Sequence, residues 1–387
     1  MSETTPEQIT IPCVLMRGGT SKALFFHEAD VPPPGAGRDR ALMRAMGTPD
    51  VLQIDGLGGS RLVTSKIAIV QRSSHPDADV DYTFMQVDVE RPGIFSEGNC
   101  GNISAAVGPF AIDEGLVEAV EPLTTVRIYN TNSDKILVAR VPVRNGKARV
   151  AGDCAIPGVP GTGAKILMDY SATAGAMTGK LLPTGNVVDT IALEDGRKLD
   201  VSLVDMANPC VFVSAADLGQ SGDELAPAIS ANGELIATMG EIQAKCGQLL
   251  GLWPDWKEQH LPGLPLLVMV SPPADYIDMN GDRHAAAGMD MRARLVFLGK
   301  CHETMAGTGS ICTTAASRIA GSVAHRAVGA AAGSTVLRIG HSLGVMEVDV
   351  VTNGAADPEQ LQFAELGFAR TARRLMDGQL YLPREFI

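Results

Sequence analysis

"GNCGNISAAVGPFAI" (98–112) and "MAGTGSICTTAASRIAG" (305–321) decide how the chain is read. Each opens on glycines and small polar residues and runs at once into a helical stretch with little charge in its first turns. A helix apolar on every side belongs in an interior, not on a surface. Strand-length runs recur around each one. In the first half these are "ITIPCVLM" (9–16), "KALFFH" (22–27), "SKIAIVQ" (65–71), "DYTFMQVDV" (81–89), "TVRIYNT" (125–131), "KILVARVPV" (135–143) and "KARVAG" (147–152). In the second half "NVVDTIAL", "KLDVSLVDM", "CVFVSAADL", "LPLLVMVS", "DMRARLVFLGK", "STVLRIG" and "GVMEVDVV" repeat the rhythm, and the stretch 363–383 reads as strand. "RDRALMRAMG" (38–47) and "NGELIATMGEIQAKCGQLLGLW" (232–253) carry the three-and-four apolar spacing of helices.

Two buried helices, each wrapped by the strands of its own half, predict a mixed α/β chain of two pseudo-duplicated domains, each a barrel-like sheet round a central helix. The loop-like "TGKLLPTGN" (178–186) places the seam, giving domains 1–183 and 184–387, with the C-terminal strand free to return to the first half.

Composition bounds the function. With 387 residues, 45% hydrophobic and 20% charged, the chain is an ordinary globular one of two domains. A net charge of −12 argues against nucleic acid as a partner. The polar opening "MSETTPEQIT" has no signal-peptide character, and no run approaches the roughly 20 apolar residues of a membrane span. Seven cysteines, none in a CxxC pair, read as reduced thiols of a cytoplasmic protein.

A helix start offers unpaired N–H groups and partial positive charge, which suit a carboxylate. Asn99, Gly101, Asn102, Thr308, Gly309 and Ser310 sit at the two starts, and the bland alternative is that the polar ones merely cap their helices. Cys100 stands where a helix start favours the thiolate. Cys13, Cys154, Cys210 and Cys312, in apolar surroundings, read as inert. Lys66, at the mouth of an apolar strand, would become a general base if burial lowered its pKa, whereas a solvated lysine would not. His302 and His341 read as structural rather than as acid–base groups.

"NCGN" (99–102) resembles the first thiol motif of the diaminopimelate epimerase fold, and "ETMAGTGS" (303–310) its second, with Ala306 where the second catalytic cysteine would stand. Loss of that thiol disfavours amino-acid epimerisation. Nearly the whole chain resembles the PrpF branch of the fold, isomerases of unsaturated di- and tricarboxylates such as methylitaconate, methylaconitate and oxalomesaconate. "MRGGTSK" (16–22), "QIDGLGG" (53–59), "TSK" (64–66), "GNCGN" (98–102), "VGPFAI" (107–112), "TGKLLPTGNVVD" (178–189) and the 305–319 segment carry the resemblance. "HPDADVDYTF" (75–84) and "FAIDEGLVEAVEP" (110–122) are most similar to the methylitaconate isomerases.

The resemblance implies Lys66 and Cys100 as proton-transfer residues in a 1,3-proton shift, with no cofactor and no metal. Its partner is a small polycarboxylate, and a homo-oligomer is compatible with it. Arg17 is then the candidate carboxylate clamp, with Thr20, Ser21 and Ser65 as neutral donors. The alternatives are a non-catalytic accessory of an aconitase-like dehydratase and a dinucleotide enzyme. For the latter, "GLGGS" and "GVPGTG" lack the required spacing.

Overall fold

The structure, a computed structural model, describes residues 6–96, 98–261 and 263–386. Residues 1–5 of the polar opening and Glu97 of the cysteine segment lie outside the described residues. The chain divides into two compact units, residues 1–155, 161–167 and 370–387, and residues 156–160 and 168–369.

The first unit is built from β1 (Gln8–Gly18), β2 (Ser21–His27), α1 (Ala36–Met46), β3 (Lys66–Arg72), β4 (Val80–Val87), α2 (Gly101–Asp113), β5 (Leu123–Asn130) and β6 (Lys135–Arg144). Neighbours pair β1–β2 antiparallel, β2–β3 parallel, β3–β4 antiparallel, β4–β5 parallel and β5–β6 antiparallel. The second unit follows with β7 (Lys198–Met206), β8 (Asn208–Ser214), α3 (Gly233–Leu249), β9 (Leu266–Ser271), β10 (Met291–Phe297), α4 (Gly307–Ser317), β11 (Val336–His341), β12 (Gly344–Thr352) and β13 (Phe363–Arg370). Its first six strands repeat the same order of antiparallel and parallel pairs. Each parallel crossover is helical, with one α-helix in the first unit and a long and a short one in the second, so the duplication read from two helix starts extends to the strand topology.

Every residue of α4 is buried, as is all of α2 up to Ile112, and the hydroxyls of Ser310, Thr313, Thr314 and Ser317 on α4 are satisfied within the helix. Helix α2 touches strands at both ends of its row, β1 and β6, so the sheet is rolled round it. Gly108 permits this closeness: a Cβ there would lie 2.8 Å from Val141 Cγ2 and 3.2 Å from Ala139 Cβ on β6. On the outer face, Ala41, Leu42, Ala45 and Met46 of α1 pack on Leu24, Phe26, Ile67 and Ile69. Strands covered on both faces read as continuous apolar runs, as "KALFF" does.

Three expectations need correction. The units divide at 155–168, earlier than the seam expected at 178–186. Asp205 of β7 draws that loop into the second unit, its carboxylate accepting from Met177 N (2.8 Å), Thr178 N (2.7 Å) and Thr178 Oγ1 (2.8 Å). The stretch 363–383 is two strands rather than one, and the second, β14 (Ala372–Pro383), lies antiparallel to β1 in the first unit, the return that the sequence reading allowed. The strand expected over 147–152 is only Lys147–Ala148.

Candidate active site

Lys66 is the first residue of β3, flanked in register by Ala23 of β2 and Gln86 of β4. Only 7% of it is exposed. Its Nζ donates to Gln86 Oε1 at 2.5 Å and lies 5.2 Å from the centre of the Phe84 ring. The half-buried Cys100 is the N-cap residue of α2, and its side chain caps no N–H. Cys100 lies close enough to the Lys66 amine to act on it electrostatically. Burial pushes the Lys66 amine below the usual lysine range, while Cys100, by charge and hydrogen bond, pulls it back up. The structure thus brings together the two residues that the sequence singled out, from a strand mouth and a helix start.

The Gly18–Ser21 turn lies against the start of α2. Gly19 has φ +51°, and a Cβ on it would sit 2.1 Å from Asn102 Oδ1. Asn102 donates to Thr20 Oγ1 (3.1 Å) and accepts from Arg370 Nε (2.9 Å). Asn99 accepts from Ser104 Oγ at 3.0 Å. The first helical N–H to reach an intrahelical acceptor is that of Ser104, on Cys100 O. Ser21 is buried, and its hydroxyl has no hydrogen-bond partner.

Other candidates are committed elsewhere. Arg17 Nη1 donates to the carbonyls of Gly19 (2.9 Å) and Thr371 (2.8 Å), so one arm of its fork braces the turn. Burial, with Arg373 opposite, lowers its pKa. Ser65 Oγ donates to Gln53 Oε1 at 2.7 Å. In the second unit, α4 begins at Ala306, Thr308 Oγ1 accepts from Asn208 (3.0 Å), and Ser310 Oγ donates to Gly307 O (2.7 Å). His302 bonds within its own loop to Thr304, and buried His341 accepts from Leu343 N. Cys13, Cys210 and Cys312 are buried as expected, but Cys154 is only half-buried.

Sequence reasoning missed Gln86 and Arg370. Gln86 had a signal, a polar residue in the inward series Tyr82, Phe84, Gln86 of a strand. Arg370 had none, because it reaches Asn102 from 268 residues away.

The family described as PrpF protein matches residues 8–383. The chain belongs to the PrpF family. Within the family it is 47% identical over 382 residues to a 3-methylitaconate isomerase of Eubacterium barkeri, covering 98% of each. It is 39% identical to a (4E)-oxalomesaconate Delta-isomerase of Novosphingobium sp., over 96% of this chain and 97% of that one. A crystal structure of methylitaconate-delta-isomerase superposes with a TM-score of 0.80 at 46% identity, covering 98% of this chain and 97% of that one. A hydroxyproline epimerase from Agrobacterium vitis shares the fold, with a TM-score of 0.58 at 13% identity over 97% and 93%. The chain is an isomerase, which sets aside the accessory and dinucleotide readings. Among the described residues no group of three or more His, Cys, Asp or Glu is placed to hold a metal. No helix among them is long and apolar enough to cross a membrane.

Proposed function

We propose that the chain moves a C=C bond in a small unsaturated polycarboxylate, with 3-methylitaconate as the best candidate, by a 1,3-proton shift between Lys66 and Cys100. The observation that carries the proposal is the buried amine of Lys66 beside the thiol of Cys100 at the start of α2. The 47% identity to the E. barkeri enzyme supports the choice of acid.

One of the pair takes a proton from the carbon allylic to the double bond. The C–H electrons spread into a dienolate, whose charge falls on a carboxylate. The other group protonates the carbon two positions away, and the double bond forms between the remaining pair. No electrons leave the substrate. The burial that lowers the Lys66 pKa makes the neutral amine easier to reach than it is in a solvated lysine. N–H groups at the start of α2 suit the dienolate oxygens, a contribution of about 3–4 kcal/mol per well-placed donor. Arg17, Thr20, Ser21, Asn99, Gly101 and Asn102 make up the carboxylate-binding side in the first unit.

Proton NMR in D₂O with methylitaconate, methylaconitate, aconitate and oxalomesaconate tests the reading. Turnover of methylitaconate with deuterium entering the carbon two positions from the one that loses its proton is expected. Turnover of another acid alone would move the substrate assignment, and exchange in none would sink the proposal.

A further inference from the structure

Every hydrogen-bonding atom of the Gln86 side chain is committed. Gln86 is 2% exposed, and its Nε2 faces three backbone carbonyls, Leu62 O (3.1 Å), Ser65 O (3.1 Å) and Val87 O (3.2 Å). A carbonyl only accepts, so turning the amide over would set Oε1 against three oxygens. The amide is therefore locked with its oxygen towards Lys66 Nζ, at 2.5 Å. Lys66 and Gln86 are also direct cross-strand partners, so backbone register fixes the approach as well. We propose that Gln86 is a positioning residue: it pins one N–H of Lys66 through a neutral, accept-only contact and so aims the remaining face of the amine at the reacting carbon.

The choice of a neutral partner has a chemical reason. A carboxylate at this place would hold the proton on Lys66, and a hydrocarbon would leave the amine unaligned and its ammonium form without an acceptor. Phe84 and Gln86 on β4 and Cys100 at the start of α2 face the Lys66 amine. Cys100 is the titratable one. Gln86 thus gives the amine a neutral neighbour and leaves Cys100 as the titratable group that acts on it. This inference rests on the reading of Lys66 as a proton-transfer group.

The test is the pH profile of kcat and KM for Gln86→Glu and Gln86→Met, with Lys66→Met as control. Gln86→Glu should move one limb of the kcat profile up by about 1–3 pH units, the effect of an opposite charge within about 4–6 Å. Gln86→Met should move the same limb down and lower kcat by about ten- to a hundredfold through misalignment, with KM changed far less. Opposite movements are a signature that loss of packing does not produce. Folded variants whose profiles superpose on the parent's, or move in one direction together, would overturn the inference. Failure of both to fold would also overturn it, by making Gln86 a structural residue. If Lys66→Met retains turnover, the reading of Lys66 itself falls. If Lys66→Met is dead and the Gln86 profiles are unmoved, only this inference falls.

Discussion

The starts of α2 and α4 have the same setting, a glycine-marked entry into a fully buried helix at the same point of the same six-strand topology. Their furnishing differs. At α2 the N-cap is Cys100, with Lys66, Gln86, Thr20 and Arg370 held near that end by hydrogen bonds. At α4 the N-cap is Ala306, and the polar side chains turn back on their own unit: Ser310 to Gly307, Thr313 to Gly309, Thr314 to Ser310. The two copies share the frame, while the candidate proton-transfer groups, Lys66 and Cys100, stand in one of them. A helix start supplies N–H donors for nothing, but a base and an acid must be brought to it from other strands.

Replacing Lys66 should have the largest effect. Lys66→Met should abolish isomerisation, a loss of about 10²-fold or more, with an unchanged circular dichroism spectrum. The same variant should be more stable than the parent. Burial lowers the folded-state pKa of Lys66, so between that value and about 10.4 the unfolded chain binds more protons and stability rises with pH. The penalty is complete below the folded pKa and gone above about 10.4. Lys66→Met should remove that slope, with its greatest gain in Tm at low pH. Full activity in this variant would erase the contrast between the two helix starts.

Cys100 comes next. Iodoacetamide should label it ahead of Cys13, Cys210, Cys246, Cys301 and Cys312, all of which are buried. Burial also pushes the Cys301 thiol up to about 12, and those of Cys13, Cys210 and Cys246 up as well. Half-buried Cys154, its pKa raised mainly by desolvation, should follow second. Substrate should protect Cys100, and Cys100→Ser should retain more activity than Lys66→Met. First labelling at Cys312 would mean that the thiol has been placed in the wrong unit.

A smaller effect is expected at the second start. Thr308→Val removes the acceptor for buried Asn208 Nδ2 and should cost about 1–3 kcal/mol, seen as a lower midpoint in denaturant. An unchanged midpoint would show that this bond is idle. The smallest effect concerns Ala306. Ala306→Cys restores a thiol at the α4 start but no amine-recognising group, so racemisation of diaminopimelate should stay undetectable by polarimetry or chiral chromatography. Detectable racemisation would show that the two starts differ by one atom group rather than by their surroundings.

The frame was legible because its signals are local. Apolar runs of strand length, glycines before small-residue helices and the TSK and NCGN segments all lie within a few residues of what they specify. What was hidden depends on distance. The seam was misplaced because Asp205, 27 positions beyond Thr178, decides where that stretch docks. Arg17 resembled a ligand clamp, but the carbonyl of Thr371, 354 positions on, takes up one of its arms. Gln86 gave a local sign, a polar side chain among inward aromatics, that becomes meaningful only when register sets it beside Lys66.

That long reach has a consequence for how the protein is made. Strand β1 pairs with β14 along its whole length, from Gln8↔Pro383 to Gly18↔Ala372. Arg370 and Thr371, which brace Asn102 and Arg17, stand just before that strand. A ribosome adding about 5–20 residues per second leaves β1 and the turn after it waiting tens of seconds for these partners. Through that interval the nascent first unit carries an unpaired edge, the kind of surface that invites chaperones or wrong pairing. The Gly18–Ser21 turn is thus fastened late in synthesis, and loss of residues 370–383 should leave Lys66 and Cys100 in the chain but without the braces of that turn.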